Sequence, residues 1–358
     1  FFAIVSNMTR RYDIDWLRVI AIALLLIYHI VVVFQPWAKE FWFIQSETPL
    51  EWLWILMAVF NVWRIPLLFV VSGMGVCFAL ARRNWIQLVR ERSRRILLPF
   101  LFGFFFIVPI HIALFQAHYD DSLAYIPDMG HLWFLANIYI YALALSPLIL
   151  LCRRRAQNRI LTTARALLTS RFGIYLFAIP FIGESLFVAP GWYESYAYTA
   201  HGFWLGAVAF LSGATFIALG ENLYAVLRGR WRLHCALAFA LYLVRLFVFE
   251  LEGVPSALTA IESLLWIFGV LGAAHVALNR PSRALSYLSG AAYPVYVVHM
   301  VFLYLGAYMI LPLPVSAVAQ LFLIIVFTFG CCFFCYQFLI LRFGVAAMLF
   351  GGRAVRKN

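Results

Sequence analysis

Charge is what this sequence has least of. Only 12% of its 358 residues are Asp, Glu, Lys or Arg, against roughly 25% in an ordinary soluble domain. With 65% of the residues hydrophobic, too few charges remain to cover a water-exposed surface, and a soluble single-core fold is excluded. Acids are scarcer still, 15 against 27 Lys and Arg, for a net charge of +12. Cysteine is limited to Cys77, Cys152, Cys235, Cys331, Cys332 and Cys335, all in apolar runs or at their basic ends. None is read as a disulfide, and no pair has convincing metal spacing. Cys332 and Cys335 lie inside an apolar helix, which disfavours a redox or zinc role. There is no internal repeat, no separate soluble domain and no cleavable signal pattern. The first apolar run is too long for one and is read as retained. Residues 1–7, before Met8, are read as a remnant or an upstream extension and set aside.

What the chain does have is length in its apolar runs. Ten are expected to cross a bilayer, roughly 16–36, 59–81, 96–115, 132–151, 172–189, 202–219, 233–250, 258–278, 291–311 and 316–341. The expected fold is an all-α polytopic membrane bundle of about ten transmembrane helices. Residues 50–60 are apolar and Trp-rich, and an interfacial helix there is the alternative to a longer second span. The segments between runs alternate in charge. All but Lys39, Arg64 and Arg245 of the Lys and Arg fall on one side. By the positive-inside rule both termini are cytoplasmic, and the tail 346–358 is a basic cytoplasmic end. This placement explains the net charge without nucleic acid.

Ionisable residues inside the runs are the functional candidates, because each costs about 3 kcal/mol at mid-bilayer. The first run holds Arg18 at its mouth and His29 deep within. They are 11 residues apart, close to three turns, so they share a helix face with a rise of about 16 Å. Asp15 is placed to pair with Arg18. His29 either bonds a neighbouring helix or does chemistry. Arg64 needs a carboxylate, a carbonyl or a wet cavity, so pairing and substrate contact both remain open. Ser72 and Gly73 allow close helix approach. Arg82, Arg83, Arg90, Arg92, Arg94 and Arg95 crowd one short segment. They set topology and bind anionic lipid, or they form a phosphate site, since Arg forks grip phosphate oxygens. Glu262 lies at about the depth of His29, to orient that imidazole or to pair with Arg64 or Arg245. His131 opens an outer mouth beside Trp133. Trp192 and Tyr193 belong to an aromatic outer loop that is either an interfacial belt or a sugar-stacking surface. His299 is read first as a packing residue.

These stretches together resemble the acyltransferase-3 family of integral membrane enzymes. The resemblance rests on Arg18, ten intervening residues and His29, on Arg64-Ile65-Pro66 running to Ser72-Gly73, and on Arg92-x-x-Arg95 before Leu98-Pro99. His131-Leu132-Trp133-Phe134-Leu135 and Tyr293-Pro294 through His299 add to it. The look is closest to the family's glucan-modifying, succinyl-transferring branch, and the matched domain is taken as 8–345. The resemblance implies an O-acyltransferase moving an acyl group, succinyl or acetyl, from cytoplasmic acyl-CoA to a hydroxyl of a periplasmic glycan. His29 would be general base or acyl carrier, with Glu262 its catalytic companion. Arg18, Arg92 and Arg95 would bind the donor. Arg64, His131, Trp133, Trp192, Tyr193 and His299 would line the substrate path. The expected setting is the bacterial inner membrane, among lipids, with acyl-CoA as a co-substrate and neither a resident cofactor nor a metal. Homo-oligomerisation stays open. The rival reading is a polytopic transporter or flippase for an anionic or glycan-linked substrate. An inverted repeat with paired broken helices would favour it, and neither is found.

Overall fold

The structure, a computed structural model, describes residues 10–155, 157–170 and 172–352. Residues 1–7 and the last six residues of the basic tail lie outside them. The protein is all-α, with no strand among the described residues. In chain order the helices are α1 (Tyr12–Val32), α2 (Leu53–Arg82), α3 (Trp85–His118), α4 (Gly130–Arg154), α5 (Arg159–Leu168), α6 (Gly173–Val188), α7 (Ala200–Leu219), α8 (Glu221–Phe247), α9 (Ser256–Ala277), α10 (Arg283–Ile310), α11 (Ala317–Ile340) and α12 (Gly344–Leu349). Eight of them, α1 to α4, α7 and α9 to α11, are long and apolar enough to cross a membrane. Helices α5 and α6 meet at a 108° bend and make a ninth span if taken as one.

The expected seventh span, 233–250, is the second half of α8. The first half carries Arg228, Arg230 and Arg232, and this charge sets α8 apart from the apolar eight. The second span and its Trp-rich approach are one continuous helix, α2. The arginine segment before the third span is likewise helical and belongs to α3. Side-chain caps start α7 and α11: Thr199 accepts from the Gly202 N–H at 2.9 Å, and Ser316 from the Ala319 N–H at 3.3 Å.

Prolines inside the long helices remove main-chain donors, and hydrocarbon supplies no water in their place. Pro66 has no N–H for the Val62 carbonyl. The Tyr196 hydroxyl reaches that carbonyl and the Asn61 carbonyl, both at 3.2 Å. Pro109 has none for Phe105, whose carbonyl takes the Tyr125 hydroxyl at 2.8 Å. Pro99 has none for Arg95. Here the helix answers by widening, and Ser93–Leu97 is a π-helical turn, a form that often marks functional segments.

The chain packs into two compact units. The first comprises residues up to Ala21, then Ala58–Glu91 and Asn137–Leu285; the second comprises Ile22–Met57, Arg92–Ala136 and Ser286 onward. Within the first, α2 and α7 cross at two glycines. A Cβ on Gly73 would stand 1.9 Å from the Phe210 carbonyl oxygen, and one on Gly213 would stand 1.9 Å from that of Val70. Small residues of this kind let membrane helices touch main chain to main chain. Also in this unit, α8 runs along α9, and Ala178–Val188 packs on both α7 and α9. The core of the second unit joins Ile30 of α1 and Phe34, just past its end, to Phe115 of α3, Leu303 and Ala307 of α10 and Ile324 of α11.

Gly213→Ala is expected to force α7 off α2 and lower stability by about 1–3 kcal/mol, the usual cost of overpacking. Thermal unfolding in detergent micelles measures it. An unchanged midpoint would mean that the two helices do not meet there.

Candidate active site

A histidine in a membrane helix must find a polar partner, and in α1 the partner comes from α10. His299 follows Tyr296 by three residues, so its ring folds back on that turn. His299 Nδ1 lies 2.6 Å from the Tyr296 carbonyl oxygen. A carbonyl only accepts, so Nδ1 carries the hydrogen, and in the neutral ring Nε2 holds the lone pair. That Nε2 lies 2.9 Å from His29 Nδ1, which must then be the donor. The chain of bonds leaves His29 Nε2 as the basic nitrogen. The two rings are nearly parallel, 9° apart, with centroids 5.2 Å apart. His299 is fully buried and His29 only partly so. His29 is therefore the more accessible member of the pair.

More rings extend the row within the second unit. His131 stands edge-on to His299 at 4.9 Å. Its Nε2–H donates to the Val297 carbonyl at 3.1 Å, and the Tyr296 hydroxyl donates to its main-chain carbonyl. His111 lies 5.7 Å from His131 and 5.0 Å from Tyr304. Phe43 covers His29 at 5.9 Å and Tyr304 at 5.8 Å. The histidines form a row of ring contacts. Among the described residues no group of three His, Cys, Asp or Glu side chains could hold a metal ion.

Arg92 and Arg95 belong to this same unit. Arg92 ends the first segment of α3, and Arg95 is exposed on the π-helical turn. Trp133 begins the regular helix after the turn Gly130–Leu132, where Gly130 has φ +46°.

The other candidates are in the first unit. Glu262 is fully buried and receives the Arg245 Nε–H at 2.9 Å. Arg245 also bonds Glu194 and, at 2.6 Å, the Ala58 carbonyl. Of the partners open to Glu262 from its depth, the fold selects Arg245. Glu184 and His201 form a second buried pair at 2.9 Å. Tyr193 and Tyr196 are buried against the His201 ring, at 4.8 and 5.8 Å. Burial pushes both phenols above their ordinary range, and the Tyr196 hydroxyl donates to the Asn61 and Val62 carbonyls. In that loop only the outward side chains, such as Trp192 at 49% exposure, suit a surface role. Arg64 is buried in the electrostatic neighbourhood of Tyr196. Arg18 lies 3.6 Å from Asp15, as the helical spacing predicts. The cysteines Cys77, Cys152, Cys235, Cys331, Cys332 and Cys335 are free.

Sequence reasoning did not foresee that His299 contacts His29, nor did it single out His111, Glu194, Phe43 or Tyr304. The available signal for His299 was its position three residues after Tyr296 in an apolar helix. It marks a ring bonded to its own turn but says nothing of which helix faces it.

A family model described as an acyltransferase domain matches residues 11–337. No curated protein and no solved structure matches the chain.

Glu262→Ala is expected to leave Arg245 short of a buried counter-charge and to lower stability by about 3–5 kcal/mol. Glu262→Gln keeps an acceptor for the Arg245 Nε–H, and its loss should be less than half as large. Denaturation of both variants in detergent checks this, and wild-type stability in Glu262→Ala would show that the ion pair is not formed.

Proposed function

The chain belongs to the acyltransferase family whose model spans residues 11–337, and from that premise we propose that it moves an acyl group from acyl-CoA to a hydroxyl of a glycan, with His29 as the base. The observation that carries this reading is the fixed order of hydrogens from the Tyr296 carbonyl through His299 to His29. It sets the His29 lone pair on Nε2, and imidazole is the side chain best suited to hold or release a proton near neutral pH.

The chemistry follows in balanced steps. The acceptor hydroxyl gives its proton to His29 Nε2 as its oxygen attacks the thioester carbonyl. The resulting positive charge is shared with His299 across the 2.9 Å bond. Collapse of the tetrahedral intermediate breaks the carbon–sulfur bond. The departing thiolate takes the proton from Nε2, giving an ester, coenzyme A and the original pair of neutral rings.

On this reading Arg92 and Arg95 grip the phosphates of the donor, and Arg18, at the start of α1, is a further donor-binding candidate. Guanidinium forks match phosphate oxygens two at a time. The positive-inside pattern assigns that mouth to the cytoplasm, so the donor docks there. The acceptor approaches the opposite mouth because a sugar does not cross hydrocarbon. The branch resemblance favours a succinyl group, a periplasmic glucan and the bacterial inner membrane.

The test is purified protein in nanodiscs supplied with radiolabelled acyl-CoAs and a panel of glycans. His29→Ala is expected to lower kcat by about 10²–10⁴-fold, the range for loss of a general base, with the protein still folded. His299→Phe removes the acceptor for His29 Nδ1–H and frees the ring to take the other tautomer. Its kcat should fall about tenfold or more with the donor KM unchanged. Near wild-type transfer by a folded His29→Ala variant would end the catalytic assignment.

A second measurement addresses the donor. Arg92→Ala or Arg95→Ala should weaken coenzyme A binding more than dephospho-coenzyme A binding, by about tenfold for whichever Arg holds the 3′-phosphate. Equal losses for the two ligands would assign these arginines to topology or lipid.

A further inference from the structure

Trp42 occupies a backbone position that suits glycine. It closes the short helix Ala38–Phe41 with φ 64° and ψ 25°, in the left-handed region. Its N–H bonds back to the Lys39 carbonyl and the Phe43 N–H to the Ala38 carbonyl, each at 3.0 Å. Helix ends of this form take glycine, since a side chain there costs conformational energy. A glycine would make the same turn more easily. What tryptophan adds is an indole, 59% exposed.

The turn is fastened to the histidine site from both sides of this indole. The Tyr304 hydroxyl donates to the Trp42 carbonyl at 2.6 Å, and the Tyr304 ring rests on His111. The next residue, Phe43, packs on His29 itself. The exposed side chains of this turn and of the segment after it are mixed in character, Lys39, Glu40, Phe41, Glu47 and Thr48, with one side of the indole against Phe115 and the Lys39 ammonium over the Tyr119 ring. An interfacial aromatic belt needs neither a left-handed backbone nor a connection to His29, and acyl chains do not favour a surface broken by charges of both signs. A pyranose ring suits both features. Its C–H face packs on an aromatic ring while its hydroxyls bond polar groups such as the exposed Glu40 two residues before Trp42.

We propose that the turn Ala38–Phe43 is the acceptor subsite, with a neutral hexopyranose unit of the glycan stacked on Trp42 beside His29. This rests on the acyl-transfer reading for the identity of the reaction, but the binding site is testable apart from catalysis. Trp42→Gly removes the indole and relieves the backbone, so it should unfold at or above the wild-type temperature. Binding of cello-oligosaccharides in nanodiscs, measured by isothermal titration calorimetry on wild type against Trp42→Gly, is expected to weaken about tenfold, with Trp42→Phe between the two. The acceptor KM should rise by a similar factor while coenzyme A affinity stays unchanged. Sorbitol, which has the hydroxyls without the ring face, should bind neither protein differently. Oligosaccharide affinity and acceptor KM equal to wild type in Trp42→Gly would overturn the subsite. So would an unchanged affinity together with poorer bilayer reconstitution, which would make Trp42 an interfacial anchor. Binding at Trp42 without any transfer by wild type would instead overturn the acyl-transfer reading and leave the subsite standing.

Discussion

In hydrocarbon a polar group must bring its partner with it, and most of what is distinctive in this protein follows from that rule. The prolines show it at the level of the main chain. Pro66 and Pro109 each withdraw a donor, and tyrosine hydroxyls from Tyr196 and Tyr125 stand in the gap. The tyrosines therefore pin distant segments to the spans at defined heights. Tyr196 does this for the loop that also holds Glu194, so one proline in α2 helps to place a carboxylate on Arg245.

The same rule acts on the histidines. His299 has no water to lean on, so it spends its one hydrogen on the Tyr296 carbonyl one turn back. That choice settles the next bond, and the next bond settles which nitrogen of His29 is basic. A main-chain carbonyl is a good anchor for such a chain because it has no alternative protonation state. It holds the tautomer whether or not a substrate is present.

Much of this was legible in the sequence, and the remainder shares one cause. The apolar runs, the long α1 with Arg18 and His29, the Arg18–Asp15 spacing and the close approach at Gly73 all follow from periodicity within single helices. The partner of Glu262 did not. Arg64, Arg245 and His29 all matched it in depth, and only the packing of α8 along α9 selects Arg245. Nor did the meeting of His29 with His299, which lie 270 positions apart in sequence. The pattern on each helix says that a polar side chain needs a partner, and only the fold says which one. The misjudged aromatic loop has a related origin. Tyr193 and Tyr196 look like surface residues until His201 and the Pro66 gap give their hydroxyls and rings buried places to go.

The two buried polar centres also differ in the groups that compose them. In the first unit Arg245 faces two carboxylates and a carbonyl, one guanidinium shared between two acids. The guanidinium ties α8 to α9 and to the loop that carries Glu194, so this centre holds segments of the first unit together. In the second unit both members of the pair are imidazoles, and a neutral pair satisfies every bond the geometry shows. Adding one proton leaves the Tyr296 and His29–His299 bonds in place, since the incoming hydrogen takes the outer nitrogen of His29. A centre that gains and loses a proton without rearranging its bonds is suited to repeated turnover. On the proposed reading that difference, more than depth in the bilayer, suits His29 to proton transfer, while Glu262 stays paired with Arg245.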